Sequence, residues 1–465
     1  MARTTADRRP IIALTRLGMG ARPDDLARVS DAGGWLRGQI RLGGAANPQV
    51  ALPPTDDQIA RLYAYRDQVA QARRADADSG RDPVREARRI LIDATAAAFL
   101  ARMRLACLTE AGFAERWALF WTNWFSVSAT KFQAALVIPQ YEAEAIRPRV
   151  FGRFSDLLVA AEAHPAMLLY LDQAQSVGPN SSVGQRREAG LNENLAREIL
   201  ELHTVGADAG YTQADVTEFA RALTGWSISA PPDAPPALRR QAQAGSNGFV
   251  FRALVHEPGS RTVMGHSYRQ DGHDQALAIL NDLAAHPATA RRAAHRIAAH
   301  FIADEPPTTA VAALEAAWID SGGDLAVVAT TLIGLPEVWT APQAKLKSPY
   351  ELIVSGYRAI GLAPTRIEHV QPILRQLGQP PYSPASPEGW PDEAAAWGSP
   401  DAVVTRMGWA QAFAEAVPVP LAPTDLAEAV LGGLLSERTR ATVSRAESRS
   451  EAVALLLMSP EFQRR

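Results

Sequence analysis

The chain has 465 residues, of which 47% are hydrophobic and 21% charged, as in ordinary soluble globular proteins. Its formal net charge of -3 gives no electrostatic case for nucleic-acid binding as the main activity. A single cysteine, Cys107, excludes an internal disulfide framework and a metal site built from several cysteines. Because this length is too great for one compact core, we expect two packed helical subdomains, 1–228 and 249–465, joined by an exposed Pro- and Gly-rich loop at 229–248.

The N-terminal segment predicts neither export nor membrane insertion. It carries basic residues, but its apolar part is short and is interrupted by Thr15 and Arg16. No stretch approaches the roughly 18–20 apolar residues that cross a bilayer. We therefore expect no membrane span, no signal peptide and, by default, a cytoplasmic protein.

Helical patterns dominate from the start of the chain. A short apolar helix at 11–17 is followed by a Gly/Pro turn, and a long Ala- and Arg-rich helical pattern occupies 56–110. In the next segment, Trp117, Phe120, Trp121 and Trp124 recur at helical spacing. This spacing favours packing in the core; the alternative is a stacking wall for a sugar or another flat ligand.

The polar residues are densest between Gly190 and Trp226, which we predict to form two helices joined by a Gly-containing turn. Four polar residues of the first helix share one face: Asn194, Arg197, Glu198 and Glu201. The adjoining apolar stripe is predicted to contain Leu195, Ile199 and Leu202. The polar face thus borders the core, where carboxylates acquire unusual pKa values.

Short alternating apolar runs occur only near 249–268, where Pro258–Gly259 and Gly265 suit a small hairpin. Helical periodicity returns from 275 onward, and a Pro- and Trp-rich loop at 378–400 precedes the C-terminal helices. The predicted fold class is mainly α: a multi-helix orthogonal or bundle-like assembly with at most a small β-hairpin near 249–268.

Paired carboxylates are the first candidate for chemistry. Glu198 and Glu201, three residues apart, can share a proton or hold a metal, because like charges forced together split their pKa values. Arg197 beside them can instead neutralise both in a structural ion network. The spacing leaves both interpretations open.

The histidines support no metal site by their pattern. His256, His266 and His273 cluster in one irregular segment, but no signature such as H-E-x-x-H is present, so we predict no metal. His295 and His300 lie five apart on different helix faces, which indicates structural roles. Signatures of serine hydrolases, P-loop enzymes and dinucleotide-binding enzymes are also missing from the sequence, which leaves any cofactor unknown.

The chain resembles the large bacterial family catalogued as domain of unknown function 1800 over nearly its whole length. The resemblance rests on these segments: RLGMGARPDD, FWTNWFSVS, HPAMLLYLDQAQSVG, GLNENLAREILELHTVG with GYTQADVTEFARALTGW, HEPGSRTVMG, HPATARRAAHRIAAHFIADEPP, and KSPYELIVSGYRAIG with EGWPD. It implies a helical protein of unestablished biochemistry. Many members are exported and encoded beside another uncharacterised secreted family, which implies a co-encoded protein partner.

Two departures from the family pattern bear on chemistry. Many relatives carry histidines where this chain has Thr122 and Trp124, which argues against a metal or acid/base role for that segment. The family's HD-x-G-x-K appears here with a glutamate and an arginine, as His256, Glu257 and Arg261 around Gly259. The charges are kept while the side-chain lengths change.

Two hypotheses for the function follow. The first is an acid/base enzyme for a polar, carbohydrate-like ligand, in which Glu198 or Glu201 is the acid or base and His256 its partner. Its pocket is predicted to contain further ligand-binding residues: Asn194, Arg197, Gln175, Asn180, Glu257, Arg261 and Trp226. The second is a non-catalytic scaffold or partner-binding protein in which the same polar cluster is structural.

Overall fold

The computed structural model describes residues 7–74, 81–186, 190–230, 242–419 and 421–465. Helices form most of this part of the chain, which confirms the mainly α prediction. The first set is α1 (Arg9–Ile12), α2 (Asp25–Arg28), α3 (Ala32–Arg37), α4 (Thr55–Arg74), α5 (Arg81–Leu108), α6 (Gly112–Trp124), α7 (Phe132–Ala135), α8 (Ile138–Tyr141), α9 (Phe154–Ala163), α10 (Pro165–Tyr170), α11 (Asn194–Glu198) and α12 (Gln213–Leu223).

A second set of helices follows the strands. These are α13 (His273–Ala285), α14 (Pro287–Phe301), α15 (Thr308–Ser321), α16 (Leu325–Gly334), α17 (Pro336–Thr340), α18 (Pro349–Ala359), α19 (Gln371–Gln376), α20 (Ala394–Trp397), α21 (Pro400–Ala416), α22 (Pro423–Leu431), α23 (Glu437–Ser444), α24 (Arg449–Met458) and α25 (Pro460–Gln463).

The β structure extends beyond the single predicted hairpin. The strands are β1 (Trp226–Ile228), β2 (Ala242–Ala244), β3 (Phe249–Arg252), β4 (Arg261–Val263) and β5 (His266–Tyr268). Strands β1, β3 and β2 form an antiparallel sheet in that order, while β4 pairs with β5. The predicted exposed loop at 229–248 is therefore wrong at 242–244, where the backbone pairs with β3; residues 231–241 lie outside the described part of the chain.

The aromatic helix α6 lies in the core, as its spacing predicts. Trp117, Trp121 and Trp124 are fully buried, and Phe120 is nearly so. The Trp117 ring stacks on Phe151 with centroids 6.2 Å apart and an interplanar angle of 2°. Burial of this many large rings supplies much of the hydrophobic stabilisation of the fold.

Buried polar contacts join the N-terminal and C-terminal parts of the chain. Arg16 donates hydrogen bonds of 2.7 Å to the carbonyl oxygens of Val338 and Ala341. Arg358 donates one of 2.7 Å to the carbonyl oxygen of Gly20. The division into subdomains 1–228 and 249–465 stays a prediction, but these contacts fix α1 and its neighbours against α17 and α18.

Three π-helical turns place ionisable residues in the interior. They are Ala13–Leu17, Glu142–Ile146 and Ile199–His203, and they bury Arg16, Glu142 and His203 respectively. A π turn holds one residue more than an α turn and so shifts the buried face. The predicted stripe is consequently wrong at Leu202, which is partly exposed, whereas Leu200 is fully buried.

Candidate functional site

The polar face predicted on α11 forms an ion-pair network near the surface. Arg197 Nη2 lies 3.2 Å from Glu193 Oε2, and Arg197 Nη1 lies 3.6 Å from Glu201 Oε1. The Tyr211 hydroxyl donates a hydrogen bond of 2.7 Å to Glu201. Asn194 is exposed at the start of the helix. Arg197 thus offsets the charge of Glu201 from one side while Tyr211 occupies one of its oxygens.

Glu198 has a different environment from Glu201. It is half-buried, and burial raises the pKa of its carboxyl. Among the charges that act on it are His203 and Glu162. His203 Nδ1 lies 2.8 Å from Glu162 Oε1, and both of these side chains are fully buried. Glu198 therefore retains a proton more readily than a free glutamate does.

A separate cluster collects the predicted residues of the His256–Arg261 segment. The backbone amide and side-chain amide of Asn180 donate to the two oxygens of Glu257, at 2.7 and 2.6 Å. Arg261 Nη2 donates to the Glu257 carbonyl oxygen at 3.1 Å. His256 Nδ1 lies 2.8 Å from the carbonyl oxygen of Thr224. The structure therefore brings together Asn180, His256, Glu257 and Arg261.

The candidate site residues predicted from the sequence do not line one common cavity. Gln175 and Trp226 line a cavity of about 450 Å³, whereas Asn180 and His256 line another of about 520 Å³. Neither Glu198 nor Glu201 contributes to the walls of these two cavities. Within the described part of the chain, no group of three or more His, Cys, Asp or Glu residues is arranged to hold a metal ion.

A third cavity, of about 130 Å³, is lined by apolar and aromatic side chains together with five charged ones, Arg102, Arg116, Glu351, Asp392 and Arg465. It lies between α5, α6, α14, α18 and the Pro- and Trp-rich loop at 378–400. Several segments that carry the family resemblance each contribute a residue to its walls: Met19, Asn123, His300, Tyr350 and Asp392. Thr122, one of the two positions that depart from the family's histidines, lines it as well.

A histidine and an aspartate form a pair in this wall. His300 Nδ1 lies 2.6 Å from Asp392 Oδ1. Burial lowers the pKa of His300 to about 4 despite the opposing charge of Asp392, and Arg465 and Arg116 add to the lowering. Burial alone would raise the pKa of Asp392, but the interaction with His300 and the charge of Arg465 bring it to about 2.

The protonation state of the pair follows from these pKa values. At neutral pH the imidazole is uncharged and the carboxylate is ionised, so Nδ1 carries the ring proton and donates a hydrogen bond to Asp392. The other ring nitrogen, Nε2, then has a free lone pair. It is buried and has no hydrogen-bonding partner in the part of the chain that the structure describes.

Glu351 joins two buried arginines beside the pair. Arg116 Nη1 contacts Glu351 Oε1, and Arg465 Nε lies 3.0 Å from the same oxygen. The Ser348 amide donates to Glu351 Oε2 at 2.8 Å, as part of the capping box that begins α18. Burial alone would raise the pKa of Glu351, but Arg116 and Arg465 hold it well below its ordinary value. All three ionic side chains line the cavity.

The opposite wall combines a cation with aromatic rings. The Arg102 guanidinium lies 4.9, 5.0 and 4.9 Å from the ring centroids of Phe99, Tyr350 and Tyr382. Burial raises the pKa of the Tyr350 phenol. Its hydroxyl is buried and finds no hydrogen-bonding partner among the described residues. Tyr350 therefore keeps its proton, and its hydroxyl has no acceptor among the described residues.

The Pro- and Trp-rich loop at 378–400 forms one wall of the cavity, to which it contributes Pro384, Trp390 and Asp392. Asn123 holds it through two hydrogen bonds: Nδ2 donates to the Trp390 carbonyl oxygen at 2.9 Å, and Oδ1 accepts from the Trp390 amide at 2.7 Å. Ser128 Oγ donates to the Pro384 carbonyl oxygen at 2.7 Å. These contacts place Asp392 beside His300, because it follows Trp390 by only two residues.

This site is not predicted from the sequence. The spacing of His300 indicates a structural role, and no role is predicted for Asp392, Glu351, Arg116 or Tyr350. Local spacing carries no signal for the pair, because His300 and Asp392 are separated by 92 positions. A usable signal was present in the segments KSPYE and EGWPD, which contribute to the resemblance but contain no known catalytic signature.

Comparisons with known proteins agree with the resemblance. The family model described as "Protein of unknown function (DUF1800)" matches residues 12–464. Comparison with curated proteins finds no match, and comparison with solved structures finds none either. In the described ranges, no helix is both long and apolar enough to cross a membrane. The match spans nearly the whole chain, which therefore belongs to the DUF1800 family, a family of unknown function.

Proposed function

We propose that the protein is an acid/base enzyme whose general base is His300 Nε2. The observation that carries this proposal is the 2.6 Å contact between His300 Nδ1 and Asp392, which leaves Nε2 unprotonated and without a protein partner in a cavity wall. Asp392 is a positioning residue that fixes the tautomer and orientation of the ring. A neutral imidazole held in this way accepts a proton from a substrate or from water.

Other residues in the walls can stabilise the negative charge that such a reaction creates. When a proton leaves, negative charge grows on an oxygen of the substrate. The arginines Arg116 and Arg465, which line the cavity, stabilise the charge on that oxygen. Among buried side chains these interactions are stronger than they are at the surface.

We place the acid/base chemistry here rather than at the sequence-predicted set of Glu198, Glu201 and His256. Glu201 is engaged by Arg197 and Tyr211. His256 lines a cavity to which neither glutamate contributes. The network around Arg197 supports a structural role for that face of α11, in keeping with the second hypothesis drawn from the sequence.

A reaction screen tests the proposal. Wild-type protein and His300→Gln are incubated in D2O with small esters, amides, hydroxy acids, keto acids and phosphate monoesters. Proton NMR follows their hydrolysis and the exchange of hydrogens next to carbonyl groups. We expect at least one compound to react with the wild type and to react about 100-fold or more slowly with His300→Gln, because a positioned general base contributes 10²–10⁴-fold.

Asp392→Asn is the companion variant, and circular dichroism checks that both variants are folded. Asparagine can still accept from Nδ1 but carries no charge, so we expect an intermediate rate. Equal rates for the wild type and a folded His300→Gln contradict the proposal, and so does a wild type that is inert towards the whole panel.

A further inference from the structure

Buried positive charge exceeds buried negative charge around the His300 cavity. The buried cations are Arg116, Arg465, Lys345 and Arg406, together with Lys347, which is only partly protonated at neutral pH because its pKa is about 7. The carboxylates among them are Glu351, which is buried, and Asp392 and Asp304, which are partly exposed. Burial of an uncompensated charge in the interior is costly. An excess of buried cations therefore favours the binding of an anion that does not belong to the protein.

Two of these cations are held by neutral groups. Lys347 Nζ lies 3.1 Å from Ser355 Oγ and 4.1 Å from the centroid of the Phe462 ring. Arg406 donates to the Lys347 carbonyl oxygen at 2.7 Å and to Gln463 Oε1 at 3.0 Å. Neither side chain contacts a carboxylate in the part of the chain that is described. The carboxylate of Glu351 is already shared between Arg116 and Arg465.

The pKa of Lys347 is lowered chiefly by burial, and the neighbouring cations add a smaller repulsion. Burial lowers the pKa of Lys347 to about 7, and Arg116, Arg465 and Arg406 each oppose its protonation, while Glu351 favours it. Burial also lowers the pKa of Arg116 to about 10, with Arg465 adding to the lowering. An anion in the cavity would relieve this repulsion.

The shape of the cavity adds a second requirement. Beside Arg116 and Arg465, its walls are largely apolar and aromatic, with Phe99, Phe120 and Tyr382 among them. The volume of about 130 Å³ accommodates a small molecule. A ligand that satisfies both the charges and the rings carries one compact anionic group on a short apolar body.

We propose that the cavity binds a small organic anion, with a carboxylate or phosphate group beside Arg116 and Arg465 and an apolar part against Phe99, Phe120 and Tyr382. This inference rests on the proposed function, because it names the substrate class of the same cavity. The carboxylate and phosphate share one chemistry, a planar guanidinium contacting a compact oxyanion.

Matched pairs of ligands test the charge requirement on the wild type. Butyrate is compared with butyramide, which has nearly the same shape and no charge, and ethyl phosphate provides the phosphate arm. Binding is measured by isothermal titration calorimetry and by the shift in melting temperature at constant ionic strength. We expect one or both anions to bind at least tenfold more tightly than butyramide; the arm that binds more tightly identifies the preferred group.

Two variants locate the binding and separate the two proposals. In Arg465→Gln we expect at least a tenfold loss of anion affinity, and in the control variant Arg366→Gln, at an exposed arginine that does not line the cavity, we expect anion binding to persist. Equal binding of butyrate and butyramide by the wild type overturns the inference, even if Arg465→Gln does not fold. Equal anion binding by the wild type and Arg465→Gln overturns it as well. Anion binding without any His300-dependent reaction overturns only the proposed function, whereas a His300-dependent reaction of neutral compounds with no anion binding overturns only this inference.

Discussion

Arg147 donates two hydrogen bonds, of 2.8 and 2.9 Å, to Glu115 in a part of the core where neither side chain is more than 3% exposed. Arg147 Nε also donates to Glu142 at 2.8 Å. A buried ion pair of this kind adds little to stability by its presence, but the loss of one partner is costly because the other is left charged in the interior.

Arg147→Met is therefore expected to lower the free energy of unfolding by about 3–5 kcal/mol, since it leaves Glu115 and Glu142 without their shared cation. Equilibrium unfolding in urea measures this loss. Arg89→Met is the matched control, because Arg89 pairs with Glu86 on the surface, where both side chains are more than half exposed. The control is expected to change stability by less than about 1 kcal/mol. Similar losses in both variants would show that the Arg147 contacts are not formed as described.

The low pKa of His300 predicts a specific loss of stability in mild acid. Its folded pKa of about 4 lies below the ordinary value of 6.5, so between these two pH values the unfolded state binds a proton that the native state does not. Stability from this group is complete above pH 6.5 and falls as the pH drops towards 4. The loss is on the order of 3 kcal/mol.

Asp392 acts in a lower range, because its pKa of about 2 lies below the ordinary 3.8. Its contribution is present above pH 3.8 and is lost as the pH falls towards 2. The two groups thus affect separate parts of an acid unfolding profile.

His300→Gln removes the group whose titration lowers stability between pH 6.5 and 4. Unfolding free energies at pH 7, 5.5 and 4.5 are expected to fall less steeply in this variant than in the wild type. The exposed His369 supplies the control variant His369→Gln, which should follow the wild-type profile. Parallel profiles for the wild type and His300→Gln would contradict the assigned pKa.

Gly389 sets the position of the loop that closes the cavity. It has a φ of +88°, and a Cβ there would lie 2.5 Å from the Asn123 carbonyl oxygen and 2.6 Å from Asn123 Oδ1. Gly389→Ala should therefore break the two hydrogen bonds between Asn123 and Trp390, lower the melting temperature and change tryptophan fluorescence.

Gly361→Ala separates this contact from backbone strain. Gly361 also has a positive φ, of +71°, but a Cβ there meets nothing within 4 Å. Alanine at position 361 therefore has only the conformational cost of a left-handed residue, on the order of 1–2 kcal/mol. We expect Gly389→Ala to be clearly more destabilising. Equal effects of the two substitutions would place the loop further from Asn123 than the structure does.

Cys107 offers a probe of unfolding. Its thiol is buried, and burial raises its pKa to about 12. Because thiolates are the reactive species, a thiol reagent at pH 8 should not modify the native protein within minutes but should modify it readily in denaturing urea. Since the chain has one cysteine, the extent of reaction reports that single site. Rapid labelling of the native protein would contradict the burial of α5 against its neighbours.

The features that could be predicted from the sequence are local ones. The spacing of Trp117, Trp121 and Trp124 predicts their burial because helical periodicity is a property of consecutive residues. The structure also contains a capping box of Thr212 and Asp215 at the start of α12, a motif formed by residues only three positions apart.

The features that were missed depend on distant or irregular contacts. Arg116 and Glu351 are 235 positions apart, so no spacing rule connects them. An α-helical period across 199–203 predicts that Leu202 is buried, but the backbone there forms a π turn and Leu202 is partly exposed. The pairing of 242–244 with β3 was obscured by a composition that is typical of loops.

The extra residue of the π turn at Ile199–His203 is needed for the contact between His203 and Glu162. Removing one residue there would let the helix continue in regular α geometry, but each residue on one side would rotate by about 100° relative to the other. His203 would then no longer face Glu162, and a fully buried carboxylate would lose its neighbour. A relative with a helix one residue shorter at this point is therefore expected to have replaced Glu162 as well, so that the deletion and the substitution are inherited together.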